Sequence, residues 1–128
     1  MKYMTAEQVL FIHARIIDES GGAHGVREVG LLKSAIGRPQ ATFDKRDLYH
    51  DVWHKAAALM ESLIGNRPFI DGNKRTSLAS AALFLRRNGF RLNSEQQGIE
   101  SFTLDMALKK ISIEDAAAWL KQQAVRSE

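Results

Sequence analysis

Cysteine is absent from the chain, so neither disulfides nor thiolate metal sites can hold it together. No apolar run is long enough to cross a bilayer, and Met1–Thr5 has nothing of the apolar region of a secretory signal. Together these absences point to a reduced, cytoplasmic setting without a membrane partner. The common glycine-rich phosphate motifs are missing as well. There is no G-x-x-x-x-G-K-[ST] and no G-x-G-x-x-G, so a bound nucleotide would not sit in a Walker or Rossmann loop. Internal repeats, low-complexity tracts and linkers are also lacking. Charge of one sign is only slightly in excess: the net charge is +3 and the pI about 9.4. That favours anionic partners, but it is too little to imply direct nucleic-acid binding.

What is present fits a single domain spanning residues 1–128. Hydrophobic residues make up 45% and charged residues 26%, as in a soluble chain with one real core. Thr5–Gln8 reads T-A-E-Q, a capping box, and Val9, Ile12, Ile16 and Ile17 follow at helical spacing until Gly21-Gly22 stops them. Leu31, Leu32, Ala35 and Ile36 predict a short helix ended by Gly37 and Pro39. The polar segment Gln40–Tyr49 reads equally as a loop or a small hairpin. Val52, Ala56, Leu59, Met60 and Leu63 form an apolar stripe closed by Gly65. Ser77–Asn88 is apolar on most of its circumference, which predicts a helix central in the core, ended by Gly89. S-E-Q-Q at Ser94–Gln97 and S-I-E-D at Ser112–Asp115 predict two more helix starts, with Ile99, Phe102, Met106, Ala116, Trp119 and Leu120 as their inner faces. Strand-like alternation is nearly missing, so the expected class is all-α, with about six helices.

The chemistry concentrates in Asn66–Arg75. Pro68 forces the chain to turn before the helix that follows, and Phe69 is expected to anchor the turn in the core. Asp71-Gly72-Asn73-Lys74-Arg75 then enters that helix. The first amides of a helix lack internal partners and carry the positive end of the dipole. A glycine at such an entry lets an anion approach the backbone closely, which makes a phosphate cradle. Lys74 would add a point charge and Arg75 a bidentate clamp. Asp71, the one carboxylate in the loop, is the natural ligand for a Mg²⁺ ion shared with phosphate oxygens. The same residue types also make ordinary solvated turns.

Arg67–Arg75, R-P-F-I-D-G-N-K-R, resembles the signature of the Fic/Doc family, His-Pro-Phe-x-Asp/Glu-Gly/Ala-Asn-Gly/Lys-Arg, at every position except the first. Gly21–Gln40 and Asn73–Phe90 resemble the flanking segments of Doc-type (death-on-curing) members, so the similarity covers nearly the whole chain. The resemblance implies the Fic fold, with the signature loop leading into a central buried helix, and ATP with Mg²⁺ as the bound species. It places the metal on Asp71, phosphates on Asn73 and Arg75, and an anion hole at the Gly72–Lys74 amides. Lysine rather than glycine at position 74 is similar to the Doc branch. That branch consists of protein kinase-like toxins that move the γ-phosphate to a threonine of elongation factor Tu, block translation, and are neutralised by a Phd-like antitoxin. An AMP-transferring enzyme of the same fold, or a non-catalytic module binding a nucleotide or a partner, are the alternatives.

At position 67 the family pattern has the histidine that takes the proton from the attacking hydroxyl. Arg67 cannot do so, since an arginine stays protonated at any working pH. Losing a positioned base removes on the order of 10²–10⁴ in rate, so this form is expected to be nearly inactive. The site is either naturally repurposed or changed so that a toxic protein is tolerated by the cells making it; the sequence favours the second, because His to Arg needs a single base change. None of His13, His24, His50 and His54 lies in the loop. His24 could border the site. His50 and His54, four apart, are expected to share a polar helix face, with no H-E-x-x-H glutamate and no obvious third metal ligand.

Overall fold

The computed structural model describes residues 1–127. Six helices carry the chain: α1 (Ala6–Ser20), α2 (Val29–Gly37), α3 (Val52–Asn66), α4 (Asn73–Arg87), α5 (Gln96–Ala107) and α6 (Ile113–Gln123). The all-α expectation holds. Two minimal antiparallel strand pairs accompany the helices: the hairpin of β1 (Thr42–Phe43) with β2 (Arg46–Asp47), and β3 (Phe90–Leu92) with β4 (Ala124–Arg126), between which α5 and α6 intervene. The first resolves the ambiguity over Gln40–Tyr49. The second has no counterpart in the sequence reading. It joins the end of α4 to the segment after α6 in antiparallel register, Phe90 opposite Arg126 and Leu92 opposite Ala124.

Local capping sets several helix ends. Thr5 and Ser112 both close reciprocal capping boxes, with Gln8 and Asp115, so the T-A-E-Q and S-I-E-D readings are correct. α5 starts one residue later than a Ser94 cap would place it, with Glu95 at the cap and no side-chain bond there. α2 stops at Gly37, but Pro39 then sits in a short 3-10 turn, Arg38–Gln40. The end of α3 is not at Gly65. The helix runs to Asn66, and Arg67 takes the left-handed cap with φ 49°. A non-glycine residue there carries about 1–2 kcal/mol of backbone strain.

α3 is the most enclosed helix. Its buried residues run almost without a break from Lys55 to Leu63, against α2, α4, α5 and α6. The apolar stripe Ala56, Leu59, Met60, Leu63 is as expected. α4 packs between α1 and α3 through Thr76, Ser80, Ala81, Phe84 and Leu85, while Leu78, Ala79, Ala82 and Leu83 are half-buried. It is a core helix with one face at the surface. Its small residues are the reason it fits tightly against α3. The hydroxyls of Thr76 and Ser80 are buried there without partners.

The strongest exception to the apolar interior is Lys55, 2% exposed. Its ammonium donates to the Pro39 carbonyl and to Asp47 Oδ2, both at 3.1 Å, and lies 5.4 Å from the centre of the Tyr3 ring. Burial works against the charge, but bonds to Tyr3 and Asp47 outweigh it and raise the pKa. The ammonium thereby ties the first hairpin to the core. Lys55→Met keeps the stem and removes the charge. It is expected to cost about 1–3 kcal/mol, because the Pro39 carbonyl loses its partner, and to open Asp44–Arg46 to trypsin. Unchanged trypsin sensitivity would show that the ammonium does not hold the hairpin.

Candidate phosphate-binding site

The loop between α3 and α4 is fixed from outside itself. The Pro68 carbonyl accepts from the Arg27 and Glu28 amides at 2.7 and 3.2 Å, and the Ile70 amide donates to the Gly25 carbonyl at 3.1 Å. A single bridge pairs Val26 with Phe69. Arg27 also reaches across with its side chain, donating from Nη2 to the Asn66 carbonyl (2.7 Å) and from Nε to the Arg67 carbonyl (2.8 Å). These are orphan carbonyls at the C-terminus of α3, where a cation is favoured. Arg27 thus caps the helix that presents Arg67.

Phe69 is buried, as expected, and its ring stacks on His13 of α1 at 3.8 Å between centres, nearly parallel. His13 Nε2 lies 2.8 Å from the Asp71 carbonyl oxygen. A carbonyl only accepts, so Nε2 carries the hydrogen. Buried and so engaged, His13 positions the loop and is not free to replace the missing base. Asn73 closes the turn from the other side. Its Nδ2 donates to the Phe69 carbonyl and its Oδ1 accepts from the Phe69 amide, both at 3.0 Å.

Asp71 is half-exposed, and both its carboxylate oxygens are engaged. Oδ1 accepts from the Gly72 amide at 2.7 Å, and Oδ2 accepts from the Ala23 amide at 3.2 Å. The bonds from Ala23 and Gly72 outweigh the small effect of burial, and Arg75 and His13 add to them, so the carboxyl titrates below its usual range. The stabilisation it brings is therefore complete above the usual carboxylate range, and is lost only as pH falls through the lowered value. Each oxygen keeps a lone pair beyond these bonds. An ionised, accessible carboxylate with spare lone pairs beside a phosphate cradle fits a hard cation such as Mg²⁺.

The entry of α4 has the form expected of the cradle. Gly72 takes the N-cap position with φ 77°, and no side chain caps the helix. Among the described residues, no acceptor lies on the amides of Asn73, Lys74 or Arg75. These amides face a cleft of about 600 Å³ lined by Arg67, Ile70, Asp71, Gly72, Asn73, Lys74 and Arg75, with Ile64 of α3 and Leu104, Ala107 and Leu108 of α5 as its apolar wall. The Gly72 amide itself points to Asp71, so the open set is shifted by one residue from Gly72–Lys74. Arg75 is preset: Nη1 donates to Ser20 Oγ and the Gly21 carbonyl, and Nη2 stands 4.0 Å from Asp71 Oδ1.

Every signature residue from Arg67 to Arg75 is therefore brought together, and Arg67 enters the cleft without an ion pair among the described residues. His24 does not join them; its Nε2 donates to Asp18 Oδ1 at 2.8 Å on the exposed surface. Sequence reasoning missed His13, Ala23 and Arg27 as site-forming residues. Nothing in the sequence marked His13; for Ala23 and Arg27 the signal was the segment Gly21–Gln40, read as a flank of the family signature, whose opening Gly21-Gly22 reads as a helix stop. Its second glycine has a specific reason. A Cβ on Gly22, at φ 115°, would lie 2.6 Å from Asp71 Oδ2, whereas one on Gly21, at φ 86°, would meet nothing within 4 Å. Both replacements strain the backbone, but only Gly22→Ala also pushes on the carboxylate. Gly22→Ala is expected to lose about 1–3 kcal/mol more than Gly21→Ala in urea unfolding. Equal losses would mean that Asp71 moves aside freely.

Comparison with known proteins agrees with this geometry. Residues 3–85 match the model of the Fic/DOC family. The chain is similar to "Toxin Doc" of Mycolicibacterium smegmatis, with 49% identity over 75 residues, covering 59% of this chain and 58% of that protein. It is also similar to "Protein kinase doc" of Escherichia phage P1, with 30% identity over 122 residues, covering 95% of each. The match thus spans little more than half of the mycobacterial relative and nearly all of the phage one. With the signature loop, its cradle and the six-helix frame all in place, the chain belongs to the Fic/DOC family.

Proposed function

We propose that this chain is the toxin of a toxin–antitoxin pair. In this reading it is built as an ATP-dependent kinase that moves the γ-phosphate to a threonine of elongation factor Tu and so arrests translation. A Phd-like antitoxin is the neutralising partner it implies, and the bacterial cytoplasm the setting. Among the described residues no helix is long and apolar enough to cross a membrane. The names of the two relatives, a toxin and a protein kinase, support the reading. One observation carries it: an uncapped helix N-terminus opening on a cleft that holds Lys74, Arg75 and an ionised Asp71.

The chain's own groups divide the work. The Asn73–Arg75 amides and the α4 dipole receive phosphate oxygens. Lys74 and the free N–H groups of Arg75 add positive charge that strengthens as negative charge gathers on the transferred group. The apolar wall of Ile64 and Leu104 limits water in the cleft. Asp71 is the residue that would hold Mg²⁺, whose chemistry is to neutralise charge on the phosphate oxygens. In the transfer, the threonine oxygen bonds to the γ-phosphorus, the β–γ bridging bond breaks, and ADP leaves. The hydroxyl proton needs an acceptor at position 67. Arg67 has no lone pair to offer it, so this form is expected to hold nucleotide without turning it over.

Arg67→His restores an acceptor at a backbone position where histidine tolerates the left-handed conformation better than most residues. Transfer of label from [γ-³²P]ATP to elongation factor Tu is expected to rise by on the order of 10²–10⁴ over the Arg67 form, and induced cells should stop growing. Transfer from [α-³²P]ATP instead would mean AMP transfer. No transfer of either label by soluble, folded Arg67→His protein would contradict the kinase reading.

A further inference from the structure

At the opposite end of α3, three donor-bearing side chains converge. His50, Asp51 and His54 each place one potential ligand atom within 4.8 Å of the other two. The two histidines do not share a helix face. α3 begins only at Val52, with Asp51 as its N-cap, so His50 lies outside the helix, in the chain that follows the first hairpin. The cap is what gathers the cluster. Asp51 Oδ1 accepts from the His54 amide and from His54 Nδ1, both at 2.7 Å, and Oδ2 faces His50 Nε2 at 3.7 Å. The imidazole rings lie 4.7 Å apart. Asp51 thus adds a third donor-bearing side chain that helical spacing alone did not reveal.

We infer that His50, Asp51 and His54 form a binding site for a late first-row divalent metal, with Zn²⁺ the best fit. Two imidazole nitrogens and a carboxylate oxygen suit Zn²⁺ and its neighbours better than Mg²⁺ or Ca²⁺, which prefer oxygen alone. The hydrogen on His54 Nδ1, now shared with Asp51 at 2.7 Å, marks where the ion goes. On binding, the Nδ1–H bond breaks as the ring's hydrogen moves to Nε2, and the Nδ1 lone pair and the carboxylate both bond to the metal. Glu114 lines the same hollow and adds negative potential, whereas Glu61 there is paired with Arg38 at 2.8 Å. At about 1.5 Å per residue, the 15 residues of α3 separate this cluster from Arg67 by about 22 Å. The site is therefore independent of the phosphate cradle. A bound ion would staple the segment after the first hairpin to the start of α3.

The test is calorimetric titration of the untagged chain with ZnCl₂ in excess MgCl₂, which occupies Asp71. One Zn²⁺ per chain is expected. His50→Ala, which lies outside the helix, and Asp51→Ser, which keeps a good cap, should each weaken binding by about tenfold or more. His24→Ala, at the isolated pair with Asp18, should change nothing. The inference is overturned by an absence of saturable Zn²⁺ binding, or by binding that His50→Ala and Asp51→Ser leave unchanged.

Discussion

The structure turns on the Asp71 peptide and its side chain. Its carbonyl is held by the buried His13, its carboxylate by the Ala23 and Gly72 amides. α1, the glycine-rich segment and the entry of α4 meet at this one residue. Because two of these bonds come from segments 58 and 48 residues away in sequence, the loop is preset by the fold and does not depend on a ligand. The cost of ordering it falls within folding, and binding then proceeds on a prepared surface. The same carboxylate faces the cleft, so a group that shapes the loop is also the one available to a cation.

Local signals made the frame legible. T-A-E-Q and S-I-E-D each act within one turn, and each capping box is where the sequence placed it. The stripe Ala56–Leu63 defines the most enclosed helix because its period survives any tertiary arrangement. Two of the misreadings have one physical cause, long-range geometry. β3 and β4 pair across more than thirty residues, and no local pattern encodes such a pair. Gly65 looked like the natural end of α3, but Arg27, from the far side of the loop, satisfies the Asn66 and Arg67 carbonyls and lets Arg67 take the left-handed cap. His50 looked helical because spacing ignores where the cap falls.

The candidate site divides along the same line. Arg67 through Arg75 are contiguous, so the sequence could mark them together as a candidate anion cradle with one acid, although the residue types alone also suit a solvated turn. The positioning groups are not contiguous: His13 sits one helix away, and Gly22 is required only because Asp71 Oδ2 occupies the space a Cβ would take. The arginine at the base position leaves all of this in place. It enters the cleft beside Lys74 and Arg75 with no ion pair among the described residues. On the proposed kinase reading, a third cation there raises the potential felt by an anion while offering no proton acceptor, so binding and turnover would be separable in this form.

That separation rests on the loop being built before any nucleotide arrives. Amide hydrogen exchange reads this most directly, with and without ATP and Mg²⁺. In the free protein, the Arg27, Glu28 and Ile70 amides, bonded across the loop, should already be protected. The Asn73, Lys74 and Arg75 amides should exchange freely and become protected once ATP is added. Free exchange at Arg27, Glu28 and Ile70 until nucleotide binds would show a loop that folds around its ligand. Unchanged exchange at Asn73–Arg75 at saturating nucleotide would show that the entry of α4 is not the cradle.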